Sequence, residues 1–230
     1  MIVITMLLPL SAASAPMTPD TLRSTAHEYY QWQKREFPVV ASDQGFHSYD
    51  DRLTDYSAAA IARRARYVHD LLERVRATDI SGWSKDDKID ALLFRAQLEG
   101  PDFDSRVRNS EQTNANVYVG EASNAIFSLL KKEYNTPRNR ALAATARLRK
   151  MPALVEQGKK NLTRPVRLYA EFAIQSARSI DPLFNESLMT LAGDMTPAER
   201  DALIDAKTGA LRALDSGPAR PRRGARCRGR

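Results

Sequence analysis

The sequence predicts an all-α protein, a helical bundle or array, on three observations. Apolar residues recur at spacings of three and four through most of the 230 residues. Helix-opening signals precede these runs: Thr18-Pro19, Ser57, Ser84, Thr136-Pro137 and Thr196-Pro197. No β-hairpin signal and no repeat of fixed period interrupts them.

The first helix opens at Thr18-Pro19 and runs to about Glu36, before Pro38, with Leu22, Ala26, Tyr29 and Trp32 as its inner face. Ser57 caps the next, whose inner face is Ile61, Ala65, Val68, Leu72 and Val75, and Gly82 breaks it. Ser84 with Asp87 resembles a capping box for a helix through Leu92, Leu93 and Leu98, which Gly100-Pro101 should stop. A short helix over Phe103 to Arg108, a polar loop and an extended Val117-Tyr118-Val119 are expected next. Helix returns at Ser123, with Ile126, Leu129 and Leu130 inside, and ends near Asn135.

Thr136-Pro137 opens a helix with Ala141, Ala144, Leu148, Met151 and Val155 on one face, which Pro152 should kink or divide. Pro165 opens the longest late helix, striped by Val166, Tyr169, Ala170, Ala173, Ala177 and Ile180, with a junction at Pro182. Thr196 to Glu199 is a capping box for a last helix ending near Leu214. Short turns joining the helices fit an antiparallel arrangement.

Composition bounds the class. Apolar content of 43% and charged content of 27% are those of a soluble globular chain, not a disordered or membrane one. A compact chain of this length buries roughly 70% of its unfolded surface. The formal charge of +7 invites a nucleic-acid reading, but six arginines sit between residues 220 and 230; without them the charge falls to +1. The single cysteine, Cys227, lies in the same tail, so neither an internal disulfide nor a cysteine metal site forms within one chain.

Three regions follow: residues 1–17, 18–214 and 215–230. In the first, apolar Ile2 to Leu10 with Ala13-Ser14-Ala15 resembles a degenerate signal peptide, although no Lys or Arg precedes Arg23. A short frayed extension is the other reading. Export to the periplasm is the expectation, with the cytoplasm as alternative. No segment reaches the roughly 20 apolar residues of a membrane span. The last region, rich in Arg, Gly and Pro, is expected to be a disordered basic tail. It is either a genuine polyanion-binding tail or out-of-frame product from GC-rich DNA, and the second reading would also explain a missing catalytic half.

The stretch from Gly45 to Ser57 has neither helical nor strand period, yet it carries Phe46, Tyr49, Leu53 and Tyr56 among its polar residues. Such a segment is a linker or a loop held by specific polar contacts. Its candidate structural or cleft residues are His47, Asp50, Asp51, Arg52 and Asp55. Asp51 and Arg52 are expected to lock the loop by pairing, and Asp55 with Ser57 to cap the next helix. His47 is expected to bond backbone groups. The aspartates lack the sixth-position glycine and twelfth-position glutamate of a calcium loop.

His27 and His69 lack a second histidine four residues on, so neither forms a helix-borne zinc pair. The glycines stand alone rather than forming a phosphate cradle, and no serine lies in a nucleophile-elbow pattern. The residues supply no catalytic, cofactor or metal site.

Tyr29-Tyr30-Gln31-Trp32, Phe37-Pro38, Ala41, Gly45 to Leu53 and Asp55-Tyr56-Ser57 resemble the opening of one bacterial family. It is catalogued as domain of unknown function eight-eight-five. Asp87-Lys88-Ile89-Asp90, Leu92-Leu93, Ala146-Arg147-Leu148 and Met151-Pro152 extend the resemblance over roughly residues 22 to 214. The resemblance implies a helical zincin-like peptidase fold, often exported, whose zinc motif lies C-terminal to anything present here. The chain is then expected to be the N-terminal wall of a substrate cleft, inactive alone. Zinc and a peptide substrate belong to full-length relatives, and no specific nucleic acid partner is expected. The alternatives are a helical protein-interaction module and polyanion binding through the tail.

Overall fold

The computed structural model describes residues 17–217; the signal-peptide-like segment and most of the basic tail, including Cys227, lie outside them. Every regular element among the described residues is helical. Thr18 and Thr21 cap each other reciprocally at the start of α1 (Pro19–Glu36), and Pro38 opens a short α2 (Pro38–Asp43). A 3-10 turn (His47–Tyr49) leads through an extended stretch to α3 (Ala58–Arg76), capped by Ser57. Ser84 caps α4 (Lys85–Phe103), which widens into a π-helical turn (Asp104–Arg108). Asn109, at φ 50°, ends that turn before α5 (Ser110–Thr113), and α6 (Asn116–Leu130) follows.

The long α7 (Pro137–Asn161) is capped by Thr136 and followed by α8 (Arg167–Arg178). A short α9 (Ile180–Pro182), a π turn (Leu183–Ser187) and a 3-10 segment (Leu188–Asp194) lead to α10 (Pro197–Ser216), opened by the Thr196–Glu199 capping box.

Two apolar cores result. Leu22 and Tyr29 of α1 meet Val68, Leu71, Leu72 and Val75 of α3 and Ala91, Phe94 and Leu98 of α4. The larger core gathers α6, α7, α10 and the segment between α8 and α10, around Ile126, Leu129, Leu148, Met151, Phe184 and Leu203. Val39 of α2 and Tyr56 of the extended stretch belong to the larger core, so the chain between α1 and α3 ties one core to the other.

Several sequence expectations need correction. Val117-Tyr118-Val119 is helical, not extended: α6 begins at Asn116, seven residues before the expected Ser123, and ends at Leu130 rather than near Asn135. Packing overrides β propensity there, because burial of Tyr118 and Val119 fills the larger core. Gly100-Pro101 does not stop α4. The helix passes Pro101 on its exposed side, and buried Asp102, bonded to His69 Nδ1 at 3.0 Å and to Arg106, ties that turn to α3. Leu92 and Leu93 are 53% and 64% exposed; the buried line on α4 is Ala91, Phe94 and Leu98, on the other face.

On α3, Ala60, Arg64 and Leu71 are buried while Ile61 and Ala65 are only partly so. Pro152 leaves α7 undivided, because Leu148, Met151, Leu154 and Val155 anchor the helix on both sides of it. The longest late helix is α10, which runs to Ser216, two residues past the expected end; α8 has only 12 residues and buries only Ala173.

Candidate functional site

The stretch from Gly45 to Ser57 lies along one face of α7. Arg147, Lys150, Gln157 and Asn161 recur on that face at helical spacing, and each bonds the stretch. Arg147, fully buried, donates to the carbonyls of Ala125 at 2.7 Å and Arg52 at 3.0 Å. It also donates to the hydroxyls of Ser42 at 2.6 Å and Ser128 at 3.0 Å, and reaches the carbonyls of Pro38 and Tyr49 at 3.4 and 3.5 Å. Lys150 Nζ donates to the Asp51 carbonyl at 2.6 Å. Gln157 takes the Tyr56 N–H at 2.9 Å and donates to Asp55 Oδ1 at 2.9 Å, and Asn161 donates to the Tyr56 carbonyl at 2.7 Å. Irregular backbone stays ordered beside a core only when its polar groups find such partners.

Of the five residues singled out from the sequence, the structure brings His47 and Asp50 together and spreads the others outward. Asp50 accepts from Ser42 Oγ, Tyr134 Oη and His47 Nδ1, the last at 3.1 Å, and stands 3.9 Å from Arg147. His47 stacks flat on Tyr134, with ring centroids 3.3 Å apart and planes 4° from parallel. It therefore bonds a carboxylate, not the backbone groups expected of it. With four groups around its carboxylate, Asp50 is placed to anchor the loop rather than to abstract a proton. Burial, together with the Asp50 carboxylate beside it, raises the Tyr134 hydroxyl above its ordinary range.

Asp51 and Arg52 do pair, at 3.7 Å, but with side chains 62% and 55% exposed. A pair so open to water contributes little, and the lock expected there is provided by Arg147 holding the Arg52 backbone. Asp55 accepts from the Ser57 N–H at 2.8 Å and the Ser57 hydroxyl at 3.0 Å, while Ser57 Oγ caps α3. Burial opposes ionisation of Asp55, yet the bonds from Ser57 and Gln157 outweigh it and hold its pKa below the ordinary value.

Sequence reasoning named Arg147 only within the family resemblance and gave it no role, and it missed Glu121 and Arg64. Buried Glu121 accepts the Thr54 N–H at 2.9 Å, and burial raises its pKa despite Arg147 and Arg64 nearby. Arg64 donates to the Asp55 carbonyl at 2.7 Å and lies over the rings of Phe37 and Tyr56. One signal was available: Arg147 interrupts the small apolar face Ala141, Ala144, Leu148 and Met151, a position where a charge has to be paired.

Where the stretch enters α3, a cleft of about 340 Å³ opens between α3, the chain around α5 and the end of α7. Ala58, Ile61, Ala62 and Ala65 form its apolar side; Glu111, Gln112, Lys160 and Asn161 are among its polar groups. His69 lies one turn beyond Ala65 on α3, its Nδ1 held by Asp102. Burial opposes ionisation of Asp102, but Arg106 and His69 together keep its pKa below the ordinary value. Among the described residues no three His, Cys, Asp or Glu side chains converge to hold a metal ion. No described helix is long and apolar enough to cross a membrane.

The helices share their arrangement with a solved structure from Shewanella oneidensis, described as "a putative lipoprotein of unknown function". The TM-score is 0.74 at 16% identity over 88% of this chain. The chain spans 37% of the length of that protein, so the likeness is one of fold over a part of it. No curated protein matches the chain. The pattern of the family described as "Bacterial protein of unknown function (DUF885)" matches residues 38–217, more than half of the sequence, and the chain belongs to that family.

Proposed function

We propose that these helices form one wall of a larger exported protein of the zinc-peptidase kind, and that further polypeptide packs on the outer face of α4. The observation that carries this reading is a second apolar stripe on α4 and the π-helical turn after it. Ile89, Leu93, Ala96, Gly100, Phe103 and Val107 recur at alternating spacings of four and three, away from the buried line. The four large residues are 45%, 64%, 50% and 60% exposed, and Leu92 beside them 53%.

Covering large apolar side chains stabilises by about 1.5–3 kcal/mol each when burial is complete. The stripe is therefore worth several kcal/mol to whatever docks on it. The Shewanella oneidensis protein, of which this chain spans 37%, has the additional chain to supply such a cover.

Zinc hydrolysis needs a ligand set and a base that activates water. The described residues do not offer zinc such a set, so no hydrolytic step is assigned to them. In this reading the ligands come from the docked part, and the chain alone turns over no peptide. The description of the Shewanella oneidensis protein and the signal-like apolar start of this chain support export.

Replacing Leu93 and Phe103 together by Glu tests the reading. The chain should keep its helicity and lose self-association and hydrophobic-dye binding. Collapse of the fold would show that the face is core, and unchanged dye binding would show that it is not the sticky surface. Peptide turnover by the chain alone with added zinc would remove the division of labour.

A further inference from the structure

We infer that the cleft between α3, α5 and α7 binds a small zwitterion carrying an amide group, of which a dipeptide of small residues is the simplest. The inference does not depend on the docking of further polypeptide, because no residue of the outer stripe of α4 lines the cleft. A cavity of about 340 Å³ is at the small end for organic ligands, which usually occupy roughly 300–1,000 Å³.

Two opposite charges line it, and no described side chain pairs closely with either. The Glu111 carboxylate and the Lys160 ammonium form no hydrogen bond or ion pair among the described residues. Glu156, one turn before Lys160 on α7, is bonded by Lys159 at 2.8 Å and feels the Lys160 charge only at longer range. A ligand with a free ammonium and a free carboxylate satisfies both groups.

The amides add the centre of the ligand. Gln112 uses its side-chain oxygen to accept from Arg164 at 3.1 Å, and its backbone oxygen takes the Arg164 N–H at 3.1 Å, which leaves its side-chain NH₂ to donate. Asn161 directs its NH₂ to the Tyr56 carbonyl at 2.7 Å and to the Tyr118 hydroxyl, which leaves its side-chain oxygen to accept. One free donor and one free acceptor match the C=O and N–H of a single peptide group.

The apolar side is built from Ala58, Ala62 and Ala65 with Ile61, a surface that suits methyl groups. Asn161 also fixes the end of the latched stretch. The same contacts that hold the loop therefore hold one wall of the cleft.

Titration of the full chain with L-alanyl-L-alanine, followed by amide NMR shifts, tests the inference. Saturable shifts are expected around residues 58–65, 109–112 and 160–163. Lys160→Met and Glu111→Gln should each weaken binding about tenfold, since each removes one charge-assisted contact. N-acetyl-alanyl-alaninamide, lacking both charges, should bind more weakly still. Ala62→Leu should narrow the cleft and weaken binding with helicity unchanged. No saturable shift at these residues up to about 10 mM, or equal binding of the blocked dipeptide, would overturn the inference. So would full affinity in Lys160→Met and Glu111→Gln.

Discussion

Arg147→Met removes the one side chain that holds α2, α6 and the Gly45–Ser57 stretch together. The guanidinium is fully buried and bonds two carbonyls and two hydroxyls within 3.0 Å. Burial lowers its pKa below the ordinary value, but Asp50 and Glu121 favour the charged form. Methionine fills much of the volume yet leaves Asp50 without a neighbouring cation and several carbonyls without donors. Removing one partner of a buried charged network costs about 3–5 kcal/mol, which for a chain of this size lowers Tm by roughly 10–15 °C.

Arg52→Met is the control. Its side chain is exposed and its aspartate pair is open to water, so the loss should stay under about 0.5 kcal/mol. Thermal and urea unfolding followed by circular dichroism measure both. Amide exchange over residues 45 to 57 should speed up in Arg147→Met only. Equal stability of the two variants, or a larger loss in Arg52→Met, would refute the assignment of the latch to Arg147.

Two further predictions concern the packing behind the stretch. At Gly158 a Cβ would stand 2.8 Å from Tyr118 Cγ, with the tyrosine ring fixed by its hydroxyl on the Glu111 carbonyl at 2.7 Å. Gly158→Ala should therefore destabilise by about 1–2 kcal/mol, overpacking outweighing the better helix propensity of alanine; a gain in Tm would contradict this close approach. Glu121 has a folded-state pKa raised above its ordinary 4.5, so the folded chain holds that proton more tightly. Stability from this group is present below pH 4.5 and is lost as pH rises through the folded value. Glu121→Gln should flatten that fall and be the more stable chain at neutral pH, as urea midpoints across pH 4 to 8 would show; an unchanged pH profile would refute it.

Local chemistry carried much of the architecture. Thr18, Ser57, Ser84, Thr136 and Thr196 each accept the N–H three residues on, as their side chains dictate wherever a helix starts beside them. The face of α7 was legible for a similar reason: Ala141, Ala144, Leu148, Met151 and Val155 repeat at helical spacing and are all buried. The absence of period between Gly45 and Ser57 marked the stretch that the helices have to hold. Only the tertiary structure decided what holds it. A hydrogen bond between Arg147 and Arg52 spans 95 positions, and no local pattern records a partner that far away. The same holds for Val117 to Val119, whose strand propensity yields to burial in the larger core, and for α4, whose two apolar faces are equivalent until α1 and α3 cover one of them. Spacing reports that a face is apolar; which face is covered depends on what the rest of the chain places against it.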